Sequence, residues 1–197
     1  MADSNITKRA LAAALKELME DRPFAKISVG DICEACGMSR KSFYYHFQDK
    51  YELLNWIFFT EFVARVQQKS DLDGWQMLEE SCRYFYENST FYRRAFEVEG
   101  QNSFSEYFYD FAGTVLAYEM EQIFGKEDNI AFYTDFYLDA LVCAIRRWLN
   151  QRAPMPAAQF CELVRRGIVG VSGTVIEKLS GKGLPPALPP MPGNKTE

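Results

Sequence analysis

Residues 28–50 read SVGDICEACGMSRKSFYYHFQDK, and their punctuation decides the fold. Ser28 followed three positions later by Asp31 has the spacing of a capping box, so a short helix is predicted over 29–35, closed by Gly37. Ser39 then caps a third helix through His46, and Asp49 with Glu52 caps a long fourth helix to about Lys69. Two short helices joined by the turn Cys36-Gly37-Met38 match a helix-turn-helix, whose second helix enters the major groove of duplex DNA. Phe43 and Phe47, four apart, would anchor that helix inward. Its outward face would carry Arg40, Lys41, Ser42, Tyr44, Tyr45 and His46, all hydrogen-bond donors. Arg and Lys can donate to guanine O6 and N7, while Tyr, His, Ser and Lys can hold phosphate oxygens. Lys50 adds a positive charge in the first turn of the fourth helix, where free backbone N–H groups already favour an anion.

Outward from this segment, helical periodicity accounts for nearly everything before residue 181. Ile6, Ala10, Ala14 and Leu18 share a face with Leu11, Leu15 and Met19, which predicts a first helix ending near Asp21 to Pro23. Beyond Asp71 aromatic residues take over the apolar positions. Trp75, Leu78, Cys82 and Phe85 have helical spacing, a short helix carries Phe91 to Phe96, and Gly100 separates it from a helix with Phe104, Phe108, Phe111 and Val115. Two more helices are predicted at roughly 129–150 and, after Pro154 and Pro156, at 157–179. No alternating run reads as a strand. The prediction is an all-α protein of about nine helices, with an N-terminal three-helix DNA-binding domain (1–50), a helical effector-binding and dimerisation domain (51–180) and a Pro-rich disordered tail (181–197).

Composition narrows the function classes. The chain of 197 residues is 48% apolar and can bury a full core. Its net charge is −5, yet residues 1–50 hold eight Lys/Arg against seven Asp/Glu, leaving 14 against 20 for the rest. The acidity therefore belongs to the larger C-terminal part, and a local basic cluster can still hold a polyanion. No run approaches the eighteen or so apolar residues of a membrane helix, and the polar start Met1 to Asn5 has no signal-peptide core behind it. A cytoplasmic location, no membrane and five reduced cysteines are expected.

The quoted segment also resembles a known family. Cys36-Gly37-Met38-Ser39, then Phe43-Tyr44-Tyr45-His46-Phe47, then Lys50 with Leu53 and Leu54, is similar to the N-terminal signature of the TetR family of bacterial regulators, over roughly residues 6 to 55. The resemblance implies a homodimer on a pseudopalindromic operator, with a small-molecule or protein effector in the C-terminal body changing the spacing of two reading heads. It implies phosphate contacts by Ser28, Tyr44, His46 and Lys50, and base contacts by Arg40, Lys41 and Tyr45. A repressor is expected; an activator of the same fold, or an interaction module that has lost DNA binding, are the alternatives. The short N-terminus offers no basic arm for the minor groove, and Lys41 stands where the family often has a smaller residue. Tyr92 to Phe108, around Gly100-Gln101-Asn102-Ser103-Phe104, resembles a subgroup that includes regulators of dihydroxyacetone kinase operons, some of which activate.

Other motifs point away from catalysis. His46 is the only histidine, so no triad needing a second one can form. Cys33-x-x-Cys36 is half a zinc site, and both positions suit small buried residues of a helix-turn-helix. Gly167-x-x-Gly170-x-x-Gly173 follows no strand, so a phosphate loop is rejected in favour of a helix pair that approaches closely. Ile145, Trp148, Gly167, Gly170, Val171 and Thr174 are the predicted dimer residues. Asp135 and Asp139 read as a solvated stripe. Among the 16 Phe, 11 Tyr and 3 Trp, a pocket is predicted from Trp56, Phe59, Tyr92, Phe96, Tyr107, Phe108, Phe111 and Tyr137. No enzyme activity, cofactor or metal is expected.

Overall fold

A computed structural model describes residues 2–69, 72–98, 100, 102–125 and 129–179. It is all-α, with nine helices among the described residues: α1 (Ala2–Asp21), α2 (Val29–Ala35), α3 (Arg40–His46), α4 (50–66), α5 (Gly74–Glu87), α6 (Ser89–Phe96), α7 (Phe104–Phe124), α8 (Ile130–Leu149) and α9 (Ala157–Leu179). The predicted tail at 181–197 lies outside the described residues.

The reading head is assembled by local chemistry. At Ser28 both halves of the capping box form: Ser28 Oγ accepts from the Asp31 N–H at 3.1 Å, and the Ser28 N–H donates to Asp31 Oδ2 at 2.7 Å. The turn between α2 and α3 needs Gly37 at φ +67°, a conformation L side chains rarely adopt, and the Met38 N–H closes it on the Cys33 carbonyl at 2.8 Å. Ser39 Oγ caps α3 through the Ser42 N–H, and Asp49 caps α4 through the Glu52 N–H. Beneath the turn, Leu11, Leu15, Ile32, Cys33, Phe43, Phe47 and Leu53 are buried together.

One departure from the expected long helix matters. Helix α4 runs as α-helix over Lys50–Phe58, as a π turn over Phe59–Val63, and as α-helix again over Ala64–Val66. Its start belongs to the head and its end to the body. There Phe58, fully buried, lies at the centre of a cluster of rings, 5.1 Å from Phe62, 5.9 Å from Phe85, 5.4 Å from Phe104 and 5.6 Å from Phe111. Such edge and offset contacts add to the burial of each ring about 0.5–1.5 kcal/mol per pair. Head and body also meet where the Asn55 amide donates to the Asn102 carbonyl at 3.3 Å. Asn102 at φ 63° and Gly100 at φ 105° turn the chain between α6 and α7.

The last two helices close the body. Trp148 Nε1 donates to the Met155 carbonyl at 2.8 Å, and its ring stacks on Phe160 at 4.4 Å, pinning the α8–α9 connection. Helix α9 packs on α5, where Cys82 and Cys161 are both buried.

Candidate nucleic-acid interface

Helix α3 presents the predicted face. Phe43 and Phe47 point into the core, while Arg40, Lys41, Tyr44 and Tyr45 are exposed, Tyr44 by 58% and Tyr45 by 82%. Ser42 and His46 are half-buried, and the Tyr45 ring sits edge-on to His46 at 4.8 Å. Two tyrosines this exposed on a seven-residue helix are costly unless a partner covers them. The donors along α3 match what base edges and phosphates accept.

Three of the residues given phosphate roles come together: Ser28, Tyr44 and Lys50 line one shallow groove of about 360 Å³ with Lys26, Asp49 and Tyr51. His46 lies outside that lining. Two members of the groove already have other tasks. The Ser28 hydroxyl donates to Asp31 Oδ2 at 2.7 Å while accepting from the Asp31 N–H, so a phosphate contact through it would compete with the helix cap.

Lys50 Nζ donates to the carbonyls of Ile27 at 2.7 Å and Phe24 at 2.9 Å, and lies 4.4 Å from the centre of the Phe24 ring. Burial lowers its pKa against the opposing pull of Asp31. The structure thus uses the ammonium as a strut between the start of α4 and residues 24–27. The expected free cation at the phosphates is not what the geometry offers. The reason is tertiary: the turn around Phe24–Lys26 brings carbonyls to Lys50 from 23 to 26 positions away.

Arg40 also folds back. A Cβ at Gly30 would fall 2.5 Å from Arg40 Nη2, so the glycine at the start of α2 gives the guanidinium its resting place.

Several expected positions find different surroundings. Cys33 is buried and Cys36 Sγ donates to the Ile32 carbonyl at 3.2 Å, so both thiols serve helix packing. The predicted aromatic pocket is corrected: Tyr92, Phe96 and Phe108 are buried in the Phe58 ring cluster, with Tyr107 and Phe111 packed at its edge. Trp56 sits in the head against Phe47 at 5.7 Å, Phe59 is exposed on the π turn, and Tyr137 is half-buried beside Phe136. Close packing fills the space that a cavity would need. An opening of about 610 Å³ lies instead between α7 and α8, lined by Ser105, Glu106, Tyr109 and Asp110 on one side and by Asp139, Val142, Cys143, Arg146, Arg147 and Asn150 on the other. Its signal in the sequence was the polar i, i+4 pairing of Ser105 with Tyr109 and of Glu106 with Asp110. Asp139 accepts from the Tyr109 hydroxyl at 3.0 Å, which with burial pushes that phenol up to about 12, burial being the larger cause.

The dimer residues are corrected in part. Ile145 and Trp148 are buried within the subunit and cannot meet another chain. Gly167 is exposed, and a Cβ there would meet nothing within 4 Å. Gly170, Val171 and Thr174 lie in α9, with side-chain surroundings outside the described residues. The same helices expose Phe132 by 66%, Phe136 by 59%, Leu163 and Ile168. No helix among the described residues is long and apolar enough to cross a membrane.

A helix-turn-helix head carried on an all-α body defines a DNA-binding transcription regulator. Family models agree: bacterial regulatory proteins of the tetR family match residues 10–57, and a transcriptional regulator C-terminal region matches residues 73–170. The chain is 31% identical over 180 residues to the HTH-type dhaKLM operon transcriptional activator DhaS of Lactococcus lactis subsp. lactis (strain IL1403), covering 91% of this chain and 87% of that one. It is 44% identical over 63 residues to the HTH-type transcriptional regulator EthR of Mycobacterium tuberculosis (strain ATCC 25618 / H37Rv), which covers 32% of this chain and 27% of that one. Among solved structures, a TetR transcriptional regulator from Streptococcus agalactiae 2603V superposes with a TM-score of 0.64 at 20% identity, over 82% of this chain and 93% of that one. This chain belongs to the TetR family of transcriptional regulators, within a DhaS-like subgroup, and is not an enzyme.

Proposed function

We propose that the protein is an effector-responsive homodimer whose two α3 helices enter successive major grooves, roughly 34 Å apart, on a pseudopalindromic operator. The exposed tyrosines and basic residues of α3 carry the DNA half of this reading, with Tyr44 and His46 on phosphates and Arg40, Lys41 and Tyr45 toward bases. Dimerisation rests on the apolar surface of α8 and α9. Phe132 and Phe136 are one turn apart, their rings are stacked at 6.3 Å, and monomers rarely leave such a patch to water. The bare backbone at Gly167 would let a partner helix approach closely. Responsiveness to an effector is supported by the opening between α7 and α8, since the Phe58 cluster is packed.

For the sign of regulation, activation is favoured, because a relative that matches 91% of the chain is named an operon activator. The repression expected from the sequence is the second reading, supported by the general habit of the family that the head resembles.

Sedimentation of wild type and of the double variant Phe132→Glu/Phe136→Glu tests the assembly. A wild-type dimer that becomes monomeric in the variant is expected, and an unchanged dimer would move the interface elsewhere. Gel shifts on the protein's own promoter region, with transcript levels in a deletion strain, test the rest. Weak, sequence-blind binding would favour an interaction module, and raised target transcripts on deletion would favour repression.

A further inference from the structure

A chain of polar contacts crosses from head to body at the π turn of α4. Lys16 Nζ on α1 donates to Glu61 Oε2 at 2.7 Å. The Tyr84 hydroxyl on α5 donates to the same oxygen at 2.8 Å, and Tyr92 on α6 donates to the Tyr84 oxygen at 3.1 Å. Glu61 is the middle residue of the π turn over Phe59–Val63. It is half-buried, with Phe62 and Val63 buried beside it.

We infer that Glu61 is a positioning residue for operator binding, and that the π turn exists to aim its carboxylate at the head and the body together. The argument is geometric. A π turn inserts one residue into the helix, shifting the phase of everything after it by about 100° relative to an uninterrupted α-helix. Without that shift a carboxylate at position 61 and the buried face of Phe62 and Val63 could not both keep their present directions.

The contacts join four helices through residues 45 and 23 positions apart, so no local rule of helix formation requires them. An ordinary surface ion pair holds nothing in place, because water and salt screen it. This one is anchored from behind by two phenols whose burial raises their pKa, so Tyr84 and Tyr92 remain protonated donors and the chain of bonds keeps one direction. Glu61 therefore sets how α1, and with it α3, is inclined to the aromatic body.

The test reads the inclination directly. Spin labels at Glu34→Cys on α2 and Asp110→Cys on α7, in a Cys143→Ser background, report the head-to-body distance. Labelled protein is diluted with unlabelled chain so that only distances within one chain are read. Both label sites are exposed and outside the α3 face. A narrow distance distribution is expected with Glu61 intact, and a clearly broader one in each of Glu61→Gln, Lys16→Met and Tyr84→Phe.

Without labels, the same three variants should bind operator about three- to tenfold more weakly, the range expected for coupling of this kind, with an unchanged salt dependence. Glu61→Gln keeps the shape of the side chain, and Tyr84→Phe approaches the same contact from the body, so a failure of one variant to fold leaves the other. Unchanged distance distributions in the folded variants would overturn the inference, as would broadened distributions with unaltered operator affinity.

Discussion

Lys50 separates two descriptions of the reading head, and Lys50→Met tests between them because it keeps the stem while removing the ammonium. Two of its bonds, 2.7 Å to Ile27 and 2.9 Å to Phe24, lie within the range of N–H···O hydrogen bonds, whereas the 3.5 Å approach to the Ala25 carbonyl contributes little. A hydrogen bond to a charged group contributes a net ~1.5–3 kcal/mol, and a cation over a partly exposed ring about 0.5–1 kcal/mol. Lys50 is only half-buried, and the lowered pKa means that desolvation of the ammonium offsets part of the gain.

The Phe24 carbonyl keeps a second partner in the Ile27 N–H, so one orphaned acceptor, on Ile27, is the main residue of the change. A loss of about 1.5–2 kcal/mol follows, which for a chain of this length lowers the melting temperature by roughly 3–8 °C. Urea and thermal unfolding followed by circular dichroism measure it. Operator binding by fluorescence anisotropy over a salt series supplies the other half. With the ammonium committed to carbonyls, the log–log slope should stay at its wild-type value. An unchanged melting temperature, together with a slope reduced by about 0.9 per head, would refute the strut and restore Lys50 to the phosphates.

His46→Ala and Tyr44→Phe should weaken binding to all DNA and flatten the salt dependence of the former by about 0.9 per contact; Arg40→Ala should change which operator is preferred. Uniform loss across operators in the Arg40 variant would count against base reading. Hydrogen bonds from the Ser28 hydroxyl and N–H hold the Asp31 carboxyl below its usual range. A depressed carboxyl stabilises the fold above its unfolded pKa of about 3.9 and loses that contribution as pH falls through the lower folded value. The stability gap between wild type and Asp31→Asn should therefore narrow from pH 5 downward, and a gap constant to pH 2 would refute the link. Iodoacetamide should modify Cys143 first, because it is the exposed thiol of the five, while burial raises the Cys33 thiol and keeps it unreactive; mass spectrometry of the native protein reads the order.

The sequence by itself determined the elements and the class of partner. Caps and turns are written in adjacent residues, so Ser28 with Asp31, Gly37, Ser39 and Asp49 placed α2, α3 and the start of α4 from spacings of a few positions. The outward donors of α3 followed from its helical phase once Phe43 and Phe47 were turned inward. What lay beyond it depends on contacts between distant positions.

Periodicity says that a residue is apolar, yet it does not say whether the apolar face meets its own chain or another. Trp148 therefore read as a dimer residue until Phe160 and the Met155 carbonyl were found covering it, while Phe132 and Phe136, equally apolar, were left outside. The aromatic residues of the body read equally well as a pocket or as a filled core, and only the ring-to-ring distances around Phe58 decide. The Lys50 ammonium and the Glu61 carboxylate show the same limit for charge. Each found its partners 23 or more positions away, and a charge takes its role from the groups that the fold brings to it.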